Sequence, residues 1–246
     1  ASCSWNVSQA RGVWGIVEVW DALTGASIKQ LEYGIKPLVA IAFSQDGKRL
    51  AVASWEVDKI AAVWDTAKWA EPMVMQTEGD DVYKAGQSIA FSPDSKWLAA
   101  GGKDNAIRIW DAATGKMARK LGGGGKGHAK WVNGTAFTPD GKNLVSVSTD
   151  QSLKVWDVDT GNELATLHGH TKSVNAIAVS PDGKAFYTAS GDATVKTWNF
   201  AASDAKRSTW KHDGSAYGFA VSPDGKTAAS AAWLGKLRLW DMASGN

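Results

Sequence analysis

Few residues in this chain can do chemistry. Its 246 residues include four histidines, His128, His168, His170 and His212, and a single cysteine, Cys3. One cysteine excludes an internal disulfide framework and a thiolate zinc cage, and four histidines leave little for a metal site. His128, His170 and His212 share a phase: each stands ten residues before the Ser or Thr that opens a turn, at Thr138, Ser180 and Ser222. As ligands or general bases they would need positioned ionisable partners. His168, two residues from His170, reads as an exposed loop residue with no third ligand near it. The run Gly122 to Gly127, interrupted only by Lys126, invites a phosphate-loop reading. That reading fails because the run leads into His128 and a strand, not into a helix N-terminus.

The rest of the composition narrows the function classes. With 44% apolar and 21% charged residues there is ample material for a core. A formal charge of +2 argues against a dedicated nucleic-acid binder. The longest clean apolar run, Pro37 to Phe43, is far too short to span a bilayer, and no leader is visible. Residues 112–139 carry Lys116, Arg119, Lys120, Lys126 and Lys130 without an acid, whereas the preceding long loop carries Glu71, Glu78, Asp80 and Asp81. Ordinary solvated loops explain both; partner steering is the functional alternative.

The elements that position these residues come from an internal repeat. A tryptophan closing an alternating run, usually followed by Asp, recurs at Trp20, Trp64, Trp110, Trp156, Trp198 and Trp240. A turn signature precedes all but the first: Ser44-Gln-Asp-Gly-Lys48, Ser92-Pro-Asp-Ser-Lys96, Thr138-Pro-Asp-Gly-Lys142, Ser180-Pro-Asp-Gly-Lys184 and Ser222-Pro-Asp-Gly-Lys226. Pro presets φ and Asp-Gly supplies the reversal. Between these marks lie short runs rich in Val, Ala, Ile and aromatics, such as Val174 to Val179, Phe186 to Ser190, Thr194 to Trp198 and Arg207 to Trp210. No sustained helical stripe occurs, so the chain is expected to be all-β, with about four strands per unit.

This spacing and these motifs resemble the WD-repeat (WD40) β-propeller family, with bacterial-type turns. The resemblance covers nearly the whole chain and implies a ring of four-stranded antiparallel blades. It predicts one propeller domain over residues 1–246, with six repeat units of which the first and last are incomplete. On that count the chain is an excerpt of a ring of about seven blades, or one that a partner completes. The family's hydrogen-bonded tetrad maps onto His128, Ser148, Asp150 and Trp156, and onto His170, Ser190, Asp192 and Trp198. His212 keeps the phase, but Leu234 stands where its Asp belongs; Asp58 and Asp104 lack the His; Trp14 takes the Asp position of the first unit. These histidines are therefore expected to be structural pins. The incomplete units are expected to be looser, or held by packing.

The inner strands, 38–43, 87–91, 132–137, 174–179 and 217–221, contain no Asp, Glu, His, Lys, Arg or Cys. The chain is therefore expected not to be an enzyme and to need no cofactor or metal. In the family, partners dock where loops enter the inner strands. Those positions here are Pro37, Val39 and Val57; Ala85, Gln87 and Lys103; Trp131, Asn133 and Thr149; Ser173, Asn175 and Gly191; Ser215, Tyr217 and Trp233. Trp131, Tyr217 and Trp233 are the aromatic anchors of the expected surface, with Asn133, Asn175, Gln87 and Lys103 as polar neighbours. Packing between blades is their alternative use. Trp5, Trp14, Trp55, Trp69, Trp97 and Trp210 are expected to fill gaps. The expected function is a scaffold for a protein or peptide partner, without nucleic acid or membrane insertion. The alternative is a sensory, regulatory or assembly module of a larger signalling or redox chain, whose own domains could be the partners. One cysteine and no visible leader slightly favour the cytosol; an exported fragment whose leader was removed is the alternative.

Overall fold

Short apolar runs separated by Asp-Gly turns can only close their backbone hydrogen bonds by antiparallel pairing. The computed structural model describes residues 2–5, 15–33, 37–55, 60–77, 86–199, 208–233 and 235–245. These hold 22 strands in six antiparallel sheets and no helix. The chain divides into two compact units, Ala1–Lys120 and Leu121–Asn246.

The first unit begins with a three-stranded sheet, β1 (Ser2–Trp5), β2 (Gly15–Trp20) and β3 (Ser27–Glu32). A four-stranded sheet follows: β4 (Leu38–Phe43), β5 (Arg49–Ser54), β6 (Ala61–Asp65) and β7 (Met73–Val74). The next is β8 (Gly86–Phe91), β9 (Trp97–Gly102), β10 (Ala106–Asp111) and β11 (Met117–Gly122). Its core lies between sheets: Ala51, Ala53, Ile60 and Val63 of one pack with Leu98, Ala100 and Trp110 of the next.

The second unit holds β12 (Val132–Phe137), β13 (Asn143–Ser148), β14 (Ser152–Asp157) and β15 (Glu163–His168). Then come β16 (Val174–Val179), β17 (Ala185–Ser190), β18 (Thr194–Asn199) and β19 (Thr209–Lys211), and finally β20 (Ala216–Val221), β21 (Thr227–Ala232) and β22 (Leu237–Asp241). Val145, Val147 and Val155 meet Val174, Phe186 and Trp198 in one core cluster. Ala189 and Val195 meet Ala216, Ala228 and Trp240 in the next. Since each sheet buries its faces on its neighbours, stability is a sum of nearest-neighbour terms.

The signature residues build this pattern locally. In every turn the first hydroxyl donates to the Asp carboxylate at 2.6 Å, as Ser44 does to Asp46 and Thr138 to Asp140. That donor holds Asp46, Asp140, Asp182 and Asp224 below the usual carboxylate range. The Asp that follows five of the six signature tryptophans starts the next turn; Asp111 Oδ1, for example, accepts the N–H groups of Ala113 and Thr114. The Trp itself is core. Trp64, Trp110, Trp156, Trp198 and Trp240 are at most 4% exposed, and each buries on the order of 200 Å² of surface, a gross gain of about 5 kcal/mol.

The six-unit count and the ring of about seven blades are corrected here: the structure has five blades. Five sheets open on an inner strand followed by the turn signature. Among the described residues the β1–β3 sheet has neither, and its tryptophan, Trp20, is 41% exposed. Without an inner strand that sheet cannot bury the indole as a blade does. Trp14, Asp58, Ala85, Glu78, Asp80, Asp81, Arg207 and Leu234 lie outside the described residues, as does Val57. His168 is exposed as expected, but it closes strand β15 and is not in a loop.

Candidate functional site

The pins come first, because they fix the loops at which a partner would arrive. Trp156 Nε1 donates to Ser146 Oγ at 2.8 Å, and Ser146 Oγ lies 2.8 Å from His128 Nε2. His128 Nδ1 lies 2.9 Å from Asp150 Oδ2. The chain Trp198, Thr188, His170, Asp192 repeats it at 2.7, 2.7 and 2.8 Å. An indole N–H only donates and an ionised carboxylate only accepts. Each hydroxyl, already accepting the indole N–H, can donate toward Nε2, and Nδ1–H then donates to the carboxylate.

The hydroxyl members are Ser146 and Thr188; the expected Ser148 and Ser190 are not. Leu144 and Phe186 lie directly opposite Trp156 and Trp198. Ser146 and Thr188 are then the diagonal neighbours on the same face, within reach of the indole, and Ser148 and Ser190 sit one pleat further. Their hydroxyls instead brace the entry loops, Ser148 donating to the Lys130 carbonyl and Ser190 to that of Ser173.

Burial opposes the charge on Asp192, but hydrogen bonds from Thr194, His170 and the Thr171 N–H outweigh it and hold its pKa at about 2. Asp150 is held lower still by His128 and Ser152 against the same opposition. Burial pushes His170 below its ordinary value, against the pull of Asp192. Ser146, His128 and Asp150 thus have the order of a hydrolytic relay. Yet Ser146 is 0% exposed and already accepts the Trp156 N–H, so no substrate reaches it.

The blades that lack a complete tetrad are held differently. In β8–β11, Ala100 stands where the hydroxyl would be, and Trp110 Nε1 donates to the Gln76 carbonyl at 2.6 Å. Arg108, 1% exposed, takes the place of the histidine and forks onto Asp104 at 2.8 and 3.2 Å. Sequence reading missed Arg108 because it sits two residues before the Trp, where Lys154 and Lys196 reach polar partners on their outer strands. In β20–β22, Trp240 donates to Ser230 at 2.8 Å, but the buried His212 Nε2 finds no hydrogen-bond partner among the described residues. Asp213 there pairs with Arg238 at 2.7 Å.

The rim above these pins is built by one repeated distortion. Each inner strand has a register shift at its second residue, at Val39, Gln87, Asn133, Asn175 and Tyr217. A bulge re-aims the side chain it carries. In the second unit this separates the expected contact residues into two kinds. Asn133 Nδ2 donates to the Val174 carbonyl at 2.8 Å, to Ser173 Oγ at 3.0 Å and to Thr149 Oγ1 at 3.1 Å. Asn175 Nδ2 donates to the Ala216 carbonyl at 2.8 Å. Both amides clamp one inner strand to the next, so their donors are engaged within the fold. Tyr217, at the same bulge, is 52% exposed and packs at 5.6 Å on Trp233, itself 66% exposed. Trp131 is 48% exposed where the chain enters β12. Backbone bonds seat the rim: Thr149 N–H on the Trp131 carbonyl, Gly191 on Ser173 and Trp233 on Ser215.

In the first unit the Trp55 N–H bonds the Pro37 carbonyl, so Trp55 holds the position that Trp233 holds in its own blade. Counting back from Asp58 had put Val57 there and made Trp55 a gap filler. Trp55 is in fact 41% exposed, with Lys103 Nζ 3.7 Å from its ring centre. Burial there pushes the Lys103 ammonium pKa down. Gln87 is half-buried, and its Nε2 finds no partner among the described residues. Of the other expected gap fillers, Trp210 stacks on Trp240 at 5.4 Å, and Trp69 and Trp97 are half-buried. Among the described residues no three His, Cys, Asp or Glu side chains converge as for a metal.

Repeated sheets with buried tryptophans, hydroxyl–imidazole–carboxylate pins and bulged inner strands define an all-β propeller of four-stranded blades. The family model for the WD domain, G-beta repeat, matches residues 32–65, 80–111, 120–157, 161–199 and 206–241. The chain belongs to the WD40 family. It is 29% identical over 126 residues to WD repeat-containing protein VIP3 of Arabidopsis thaliana, covering 48% of this chain and 39% of that protein. It is 34% identical over 98 residues to WD repeat and SOCS box-containing protein 1 of Homo sapiens, covering 39% and 22%. It is 33% identical over 107 residues to Autophagy-related protein 16 of Arabidopsis thaliana, covering 44% and 21%. The chain thus spans about two fifths or less of these relatives' lengths. All three are eukaryotic, so the expected bacterial character is not supported. The Pro-Asp-Gly turn follows from backbone geometry and carries no lineage.

Proposed function

We propose that this chain is a non-catalytic scaffold that binds a protein or peptide on the rim of its second unit. The observation that carries this reading is the aromatic set Trp131, Tyr217 and Trp233. These large side chains are 48–66% exposed on a rim where the amides of Asn133 and Asn175 are engaged within the fold. Exposed aromatics on a rigid support lose little entropy on binding and serve as anchors. Tyr217 and Trp233 pack on each other and present one amphipathic patch; Trp131 supplies a second. The chain's similarity to WD-repeat proteins supports the same reading.

The test is affinity capture with the full chain as bait, with each captured protein then measured in purified form against Trp131→Ala/Tyr217→Ala. Truncation of such anchors is expected to cost about 2 kcal/mol each, or roughly 30-fold in Kd per residue. Urea unfolding should be unchanged, because both side chains are exposed. Undiminished affinity of the double variant would refute the site.

A further inference from the structure

The rim carries a charge pattern as well as an aromatic one. Lys130 and Lys172 are exposed on the two entry loops that lead into β12 and β16. Lys236, 59% exposed, lies in the turn before β22, at the same end of its sheet, with Arg238 beside it at 40%. Among the described residues, three carboxylates of the second unit stand at this end. Asp150 and Asp192 are only 11% and 7% exposed and already accept imidazole, hydroxyl and backbone donors. Asp213 is the one acid in solvent, and it is paired to Arg238 and Lys236. The opposite end of the same sheets holds Asp140, Asp157, Asp182, Asp224 and Asp241 against Lys142, Lys184 and Lys226. The second unit is therefore electrostatically polarised along its strands, and its aromatic end is the basic one.

From this juxtaposition we propose that the partner is an acidic, extended peptide segment. Its apolar side chains seat on Trp131 and on the Tyr217–Trp233 pair, and its carboxylates face Lys130, Lys172 and Lys236. This rests on the scaffold reading above and adds the chemistry of the partner. Complementary charge raises the encounter rate and rejects basic competitors. The lysines here are singly placed around aromatic anchors. They stand on three separate loops, whereas a phosphate backbone is followed by a continuous run of cations; this favours a peptide over a single-stranded nucleic acid.

The test is selection of random peptides of about a dozen residues on the immobilised full chain, a length that spans such a rim in extended form. The proposal expects enriched sequences to be net acidic with one or two aromatic or aliphatic residues. A selected peptide should bind about tenfold more weakly to Lys130→Glu/Lys172→Glu and should weaken steeply with added salt. Enrichment of neutral or basic peptides, or indifference to the charge reversal, would overturn the charge proposal. The scaffold reading survives that outcome if Trp131→Ala/Tyr217→Ala still abolishes binding; indifference to the aromatic variant sinks the scaffold site itself. Selection of no peptide, or tighter binding of a uridine oligonucleotide than of any selected peptide, would also overturn the proposal.

Discussion

Replacing Ser146 by Ala tests the architecture of the second unit at one atom. Its hydroxyl accepts the Trp156 N–H at 2.8 Å and reaches His128 Nε2 at 2.8 Å, in a site with no solvent exposure. The substitution removes no bulk worth a cavity, so its cost is two buried polar groups left without partners. At roughly 1–3 kcal/mol for each such group, the loss should be about 3 kcal/mol. Ser148→Ala is the internal control. That hydroxyl is as buried as Ser146 but donates to the carbonyl of the exposed Lys130 at 3.1 Å and accepts the Asp150 N–H at 3.0 Å, longer bonds whose partners border the entry loops. Its loss should cost about 1 kcal/mol. The assay is equilibrium urea unfolding of both variants and the wild type at neutral pH, compared at equal m. The sheet β8–β11 shows how nature tolerates Ala at the Ser146 position: Trp110 turns to a backbone carbonyl and an arginine replaces the histidine. Neither substitute exists around Trp156. A loss under about 1 kcal/mol for Ser146→Ala, or a larger loss for Ser148→Ala, would refute the relay described here.

Three further outcomes follow from the same geometry. Asp104→Asn or Arg108→Met should destabilise the first unit by about 3 kcal/mol or more, because each strands a buried charge or its partner; urea unfolding measures it, and a neutral result would show that the ion pair is not what pins that blade. Gly127→Ala should be destabilising by about 1–3 kcal/mol, since φ is +76° there and a Cβ would come within 2.8 Å of the Trp156 ring; thermal unfolding reads it. Stability should fall with acid in two steps. His170 stays neutral in the fold while the unfolded chain takes up a proton below its ordinary value of 6.5. Asp192, held at about 2 against 3.8, protonates first in the unfolded chain, and its contribution of about 2 kcal/mol, present above 3.8, is lost as pH falls toward 2. Asp192→Asn should flatten the lower step of a stability–pH profile.

Much of the fold was legible because it is written in punctuation. The Trp-Asp and Pro-Asp-Gly marks need particular residues for burial and for turn geometry, so they survive as spacing. The strand they bound at 174–179 is the strand found. What failed was set by register. Ser148 and Ser146 differ by one pleat, and sequence does not say which hydroxyl lies diagonal to the indole. Arg108 could be found only by noticing that Ala100 leaves the Trp110 site without a hydroxyl. Asn133 and Asn175 looked like contact residues because the bulge that turns them into clamps is a backbone feature, whereas the same bulge under Tyr217 points an aromatic side chain at solvent. Trp55 stays hidden behind Val57 when the phase is counted back from Asp58; only its N–H on the Pro37 carbonyl shows which residue holds the rim position.

Oxidative footprinting of the tryptophans, with and without the captured partner, tests the central claim most directly. The scaffold account predicts that Trp131 and Trp233 lose reactivity on complex formation, while Trp20, exposed to a similar degree, does not change. Unaltered reactivity of Trp131 and Trp233 in the saturated complex would contradict it.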